Sequence, residues 1–379
     1  MELTGEDVLR LNVMMAQDVQ AVRIDENRSQ VFGLTPAGEV RVDLNPSCKQ
    51  DRYLKLVREF LSGYVFGSPG GYPVFLSRWT RMGQAKDENL QQLLKLGEPE
   101  AVVAVVHAQG LTPEIARYAW WCMPESENAR RMLEKPVIAG SDIGRELADH
   151  LYEHLAFETD PGPMIDSIRL MLQPGLVDEE RRLKLWNSSQ RKNAYLVGFL
   201  QAQPDNLPHG QQASSRHAQL QAQLGSLENN EYAASLLWLT DEAGQGYLDT
   251  VYKVLQKPAN QDVVVYLLNT LKQRMQSCIP TVAMHATGEI AEIDERTGHL
   301  LDTTTNECQQ AGKDWCQFVA CCGQDNKELY AMVWLAHISE QVVNATFAQT
   351  TAEGTLMRKK LAPVTGPIFT QLACLLDRA

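Results

Sequence analysis

The chain has 379 residues, 44% hydrophobic and 22% charged, which excludes disorder as the default and leaves room for two or three domains with cores of their own. Its net charge of −12 and pI near 5.2 provide no general excess of positive charge for phosphate backbones, so generic nucleic-acid binding is disfavoured. The eight cysteines are too thinly spread for the disulfide framework of a small secreted domain and read as reduced thiols.

Residues 1–83 read as a small α+β domain. Met1 to Asp18 carry Glu2, Glu6 and Asp7 and lack the basic start and apolar run of a signal peptide. No stretch approaches the ~20 apolar residues of a membrane span, so a soluble cytoplasmic protein is expected. Thr4 caps a helix carrying Val8, Leu9, Leu11, Val13 and Met14, with Glu6 and Asp7 where the helix dipole favours negative charge. From Ala21 the hydrophobic period changes from 3.6 to 2. Ala21 to Glu26, Gln30 to Leu34 and Glu39 to Leu44 predict a three-stranded antiparallel meander with Val22, Ile24, Val31, Val40 and Val42 inward. A meander this small needs a helix against it, and Tyr53, Leu54, Val57, Phe60, Leu61 and Tyr64 supply one.

Residues 84–203 form the organising stretch, in which apolar-periodic segments alternate with turn signals at Gly97, Pro99, Gly110, Pro136, Gly140, Pro161, Pro174 and Gly175. No single segment can bury its face alone, so a HEAT-like or bundle-like array of short packed helices is expected. Ala101 to Val106 is apolar all round and reads as innermost. Thr112-Pro113-Glu114 is a cap, a first-position proline and a first-turn acid. Ile143, Leu147, Leu151 and Leu155 make a stripe over three turns. Residues 201–223 change character, with glutamine frequent and Pro204, Pro208 and Gly210 breaking any element, which suggests a domain junction. Residues 212–276 are expected to continue the helical region, and residues 277–379 read as a C-terminal helical region. Within it Thr297-Gly298, set between apolar residues, predicts a hairpin over Glu289 to Asp302.

Several constellations invite chemistry. His150-Leu151-Tyr152-Glu153-His154 matches the inverted zinc-protease pattern, in which the two histidines bind metal and the glutamate acts as base. They also lie along one edge of the Leu147/Leu151 stripe, where amphipathic side chains belong anyway, and no third ligand is evident. Cys308, Cys316, Cys321 and Cys322, placed on one continuous helix, project in four directions over about 21 Å and cannot share an ion. On that helix Cys308 and Cys322 join Ala311, Trp315 and Phe318 in a buried stripe. Cys321 falls off it and is the candidate reactive thiol, although a helix C-terminus works against a thiolate. Arg78 and Arg81 lie three residues apart on a predicted helix and suit either an acidic partner or helix-terminal carbonyls. Arg358-Lys359-Lys360 reads as a solvated face. The loop Gly67 to Pro73 lacks the Lys-Ser/Thr of a phosphate loop, and no serine-elbow, dinucleotide or Walker sequence occurs. No cofactor is implied.

The strings Gly67-Ser68-Pro69-Gly70-Gly71-Tyr72-Pro73, Arg78-Trp79-Thr80-Arg81-Met82-Gly83-Gln84, Gly97-Glu98-Pro99-Glu100-Ala101-Val102, Ala119-Trp120-Trp121 and Glu127 to Leu133 resemble the sulfur reduction protein DsrS family. The resemblance extends over the whole chain and is densest between Gly67 and Leu133. It implies a cytoplasmic protein that works beside the reverse-acting dissimilatory sulfite reductase system of sulfur-oxidising bacteria. It implies a pathway and not a mechanism, because that family offers no catalytic residues to match.

The resulting expectation is a non-enzymatic accessory or regulatory protein of sulfur oxidation. It would act through contacts with Dsr-system proteins made by Arg78, Trp79, Arg81, Trp120 and Trp121. A persulfide-bearing Cys321 is the first alternative and a zinc hydrolase at His150, Glu153 and His154 the second.

Overall fold

The computed structural model describes residues 2–67, 87–227, 229–284, 287–323, 326–349 and 352–378. The fold is mainly α: short helices follow one another from Gly5 to Leu375, with a three-stranded antiparallel meander near the N-terminus. The chain divides into two compact units, Met1–Ala156 with Gln173–Val177, and Phe157–Leu172 with Asp178–Ala379. No helix among the described residues is long and apolar enough to cross a membrane.

In the first unit the helix Gly5–Met15 begins where the Thr4 hydroxyl accepts a hydrogen bond from the Asp7 N–H. Strands β1 (Ala21–Asp25), β2 (Gln30–Thr35) and β3 (Gly38–Asp43) pair in sequence order, with Ile24 opposite Val31 and Val31 opposite Val42. That register buries Val22, Val31 and Val42, while Ile24 and Val40 pack at the margin. Helix Gln50–Phe66 completes the core with Tyr53, Leu54, Val57 and Leu61, although Tyr64 faces out. The fully buried Asp7 accepts hydrogen bonds from the Tyr53 hydroxyl and the Asn45 N–H, which ties the first helix to the segment after β3 and to the second long helix.

The same unit continues through helices Asp87–Leu93, Pro99–His107, Pro113–Cys122, Ser126–Leu133, Pro136–Ala139 and Asp142–His154. Gly97 ends one segment at φ 65°, and the Thr112 hydroxyl caps the helix that Pro113 opens. In helix Pro99–His107, Ala101, Val102, Val105 and Val106 are buried, but Val103 is exposed, so this segment is amphipathic rather than enclosed on every side.

The second unit is helical throughout its described residues. Helices Pro161–Met171 and Ala194–Ala202 approach closely because Gly198 has no side chain. A Cβ there would stand 2.6 Å from Ile168 Cβ and 2.8 Å from the Ile165 carbonyl oxygen. Helices Glu231–Thr240, Glu242–Gln256, Gln261–Met275 and Lys327–Ala336 surround buried Tyr247, Trp334, Leu267 and Leu268.

Two expectations for this unit are overturned. The stretch expected to form a hairpin is a helix, Ile290–Leu301, with Thr297 and Gly298 inside it. Ile293, Thr297, Leu300 and Leu301 are buried at i, i+4, i+7 and i+8, and Trp334 donates its indole N–H to Asp294 at 2.7 Å. A helical stripe with a tertiary partner outweighs one turn-like dipeptide. The single helix expected through the cysteines is two, Asn306–Gln310 and Lys313–Cys322, separated at Gly312 with φ 99°. A glycine tolerates that conformation at no steric cost, and the chain turns there.

Candidate contact surface and thiol sites

The sequence nominated five contact residues. Arg78, Trp79 and Arg81, like the rest of 68–86, lie outside the described residues. Trp120 does not form an exposed anchor. It is 7% exposed, donates its indole N–H to Glu146 Oε1 at 2.9 Å, and meets the His150 ring edge-on at 4.8 Å. Trp121 is half-buried, with the Arg23 guanidinium 4.9 Å over its ring. Trp120 therefore serves packing between Pro113–Cys122 and its neighbours, while Trp121 keeps part of its ring exposed.

His150 and His154 do share one face of helix Asp142–His154, and their rings stack with centroids 3.9 Å apart. A metal would need nitrogen atoms converging on one point. Instead His154 Nδ1 is engaged with the His150 carbonyl at 2.9 Å and His150 Nε2 with the Ser126 hydroxyl at 3.2 Å. Burial, and then the neighbouring His154, push the His150 pKa below its ordinary value despite Glu153. Among the described residues no three His, Cys, Asp or Glu side chains gather where they could hold a metal ion.

The turn at Gly312 has a consequence for the thiols that a continuous helix conceals. It folds Lys313–Cys322 back against Asn306–Gln310, bringing Cys316 Sγ to 4.0 Å from Cys308 Sγ and to 3.1 Å from the Cys308 carbonyl oxygen. Cys308 is buried, and burial followed by the nearby Cys316 pushes its thiol up to about 11. Cys322 is also buried, and burial, with Cys321 adding, raises its thiol to about 12. Both are protonated at neutral pH, in keeping with small apolar packing. Cys321 sits at the helix end before Gly323, half-exposed, with its thiol donating to the Gln223 carbonyl at 3.1 Å.

An exposed apolar strip runs along the first helix. Leu11, Met14 and Met15 bury one side of helix Gly5–Met15, but Leu9 is 65% and Val13 54% exposed. At 100° per residue Leu9 lies about 160° from Leu11 and only about 40° from Val13, so the two form an apolar strip on the opposite side. Beside them runs β3, an edge strand. The Leu44 N–H bonds the Ser29 carbonyl, and antiparallel alternation then directs the backbone groups of Glu39, Arg41 and Asp43 away from β2, where no further strand pairs with them among the described residues. Arg10 donates to the Asp43 carbonyl at 3.0 Å. Between helix and strand lies a groove of about 520 Å³, lined by Leu9, Val13, Val40 and Val42 with Arg10 and Arg41 at its margins. The signal was present in the sequence: Val8, Leu9, Leu11, Val13 and Met14 span too wide an arc for one buried stripe.

Comparison of the chain with family models, with curated proteins and with solved structures finds no match.

Proposed function

We propose that this chain is a cytoplasmic accessory or regulatory protein of bacterial sulfur oxidation that works through contacts with Dsr-system proteins and catalyses no reaction of its own. The pathway rests on the residue strings between Gly67 and Leu133. The mode of action rests on one observation: Leu9 and Val13 expose an apolar strip beside an edge of β3 that no other strand pairs among the described residues. Such a surface suits a protein segment, because an extended chain satisfies the strand edge while its side chains fill the groove. The test is affinity capture from cells oxidising stored sulfur, with wild-type protein and with Leu9→Asp/Val13→Asp as baits. Both positions are exposed, so the fold tolerates the charges. Dsr proteins retained by the wild type and lost by the double variant are the expected result. Equal retention, or no Dsr protein with either bait, refutes the reading.

A second reading is favoured by the half-exposed Cys321 thiol. In it the Cys321 thiolate attacks a sulfane sulfur of a polysulfide, forms a persulfide and releases the shortened polysulfide, with no outside oxidant. Incubation with polysulfide should add one sulfur to the Cys321 peptide in mass spectra. An unmodified Cys321 peptide rejects this alternative.

A further inference from the structure

Acidic residues outnumber basic ones by 47 to 35 in this chain, yet one cleft of the second unit reverses that balance. It encloses about 570 Å³, and the four charged residues among those lining it are Arg191, Lys253, Lys257 and Arg358. They come from three segments: the turn after helix Glu179–Ser188, the C-terminal end of Glu242–Gln256 with the residue following it, and the first turns of Gly354–Leu375. Cations repel one another, so bringing four together raises the energy of the folded state unless something negative is nearby.

The negative charge inside the protein accounts for only part of this cluster. Lys253 Nζ lies 2.7 Å from Asp249 Oδ2, but Asp249 is buried and already receives Arg378 and Gln211 as well. Arg358 donates to the neutral Thr355 hydroxyl at 2.9 Å. Arg191 and Lys257 have no carboxylate partner among the described residues. The backbone of Lys257 is nevertheless anchored, because its carbonyl accepts a hydrogen bond from Asn193 Nδ2 at 2.5 Å. The wall of the cleft also holds His209, exposed to solvent and set perpendicular to the buried Trp186 ring at 6.0 Å. Net positive charge, rigid backing and an exposed heteroaromatic ring thus share one concavity.

We infer that this cleft binds a small organic anion bearing two or more phosphoryl groups. Its volume lies within the ~300–1,000 Å³ typical of small-molecule sites. Two guanidinium groups match phosphoryl oxygens in bidentate fashion, and two ammonium groups supply mobile point charges. A single orthophosphate carries too little negative charge to balance four cations. A diphosphate or triphosphate supplies a matching charge, and the His209 ring offers a planar partner to a nucleobase.

The test is isothermal titration of the full-length protein with three probes, ATP, pyrophosphate and orthophosphate, at 50 and 200 mM salt. ATP and pyrophosphate should each bind at least 10-fold more tightly than orthophosphate, and both should weaken at the higher salt. ATP tighter than pyrophosphate marks a nucleotide site, and equal binding marks a site for the phosphoryl groups alone. Arg191→Ala/Lys257→Ala should cost at least 10-fold for both probes. Both side chains are exposed, and an unchanged melting temperature verifies the fold. The control Arg28→Ala, in the other unit and 76% exposed, should bind like the wild type. Absence of heat with millimolar ATP and pyrophosphate overturns the inference, as does binding that survives the double variant. Saturable binding of a poly-glutamate peptide in place of either phosphate probe also overturns it, in favour of an acidic protein segment.

Discussion

Replacing Glu98 with Gln should make the protein more stable, and increasingly so as pH rises. The Glu98 side chain is only 12% exposed, at the start of helix Pro99–His107, with Arg58 Nε 3.3 Å from Oε2. Burial drives its carboxyl from the ordinary 4.5 up to about 7, against the pull of Arg58 and with Glu100 and Glu26 adding to the rise. A carboxyl whose folded pKa lies above its unfolded one gives its full contribution below about pH 4.5 and loses it as pH climbs through about 7. At about 1.4 kcal/mol per pH unit, that gap sets a ceiling of roughly 3 kcal/mol, which partial hydration and ionic screening reduce to about 1–2 kcal/mol. Gln keeps the shape and removes the titration, while Arg58 retains Glu26 and the Gly97 carbonyl. Equilibrium urea unfolding of both proteins between pH 5 and pH 8.5 measures the effect. The stability difference should widen by about 1–2 kcal/mol in favour of Glu98→Gln, with most of the change below about pH 7 and a plateau above it. A difference that stays constant across the range refutes the reasoning.

Gly198→Ala should destabilise by about 1–3 kcal/mol in urea unfolding, because the new methyl must displace Ile168 or the helix carrying the Ile165 carbonyl. An unchanged midpoint would show that the two helices separate freely. Brief alkylation at pH 8 followed by peptide mapping should modify Cys321 before Cys308, whose thiol near 11 leaves only about one molecule in a thousand as thiolate. Treatment with diamide, which removes two electrons, should link Cys308 to Cys316, and peptide mapping that finds Cys308 joined elsewhere contradicts the 4.0 Å separation. Asp249→Asn should cost about 1–3 kcal/mol at pH 7 by leaving Lys253 and Arg378 without their shared carboxylate. Burial raises the Asp249 pKa, but hydrogen bonds and charge from Lys253 and Arg378 outweigh it. The folded value thus falls below 3.8, and this contribution, present above pH 3.8, disappears as pH drops through the lower folded value.

Much of the fold was legible wherever the determining chemistry is local. Thr4 and Thr112 announce their helices because a cap acts within three residues, and the period-2 run from Ala21 reveals the meander because alternation survives in the linear text. Thr297-Gly298 misled because the turn signal is local, whereas the Trp334 to Asp294 bond that favours a helix spans 40 residues. Gly312 was visible, but its positive φ was not, so two thiols now 4.0 Å apart were placed on separate turns of one rod. The exposure of Leu9 and Val13 is implicit in the sequence, because Leu9, Leu11 and Val13 span an arc wider than a single buried stripe can cover. The cationic cleft lay beyond reach altogether. Arg358 looked like part of an ordinary solvated run, and nothing in the sequence associates it with Arg191, 167 positions earlier.

The hydrogen bond from Arg10 to the Asp43 carbonyl sets a limit on what the open side of the meander will accept. With one end of the strand clasped, a visiting chain is left only the Glu39 and Arg41 rungs, too few for backbone pairing to hold it for long. Identity must then be checked by the visitor's own side chains against Leu9 and Val13, and release stays quick. The same clasp denies a second meander the full-length template that fibril growth requires, so the exposed edge is a poor site for its own copies to stack.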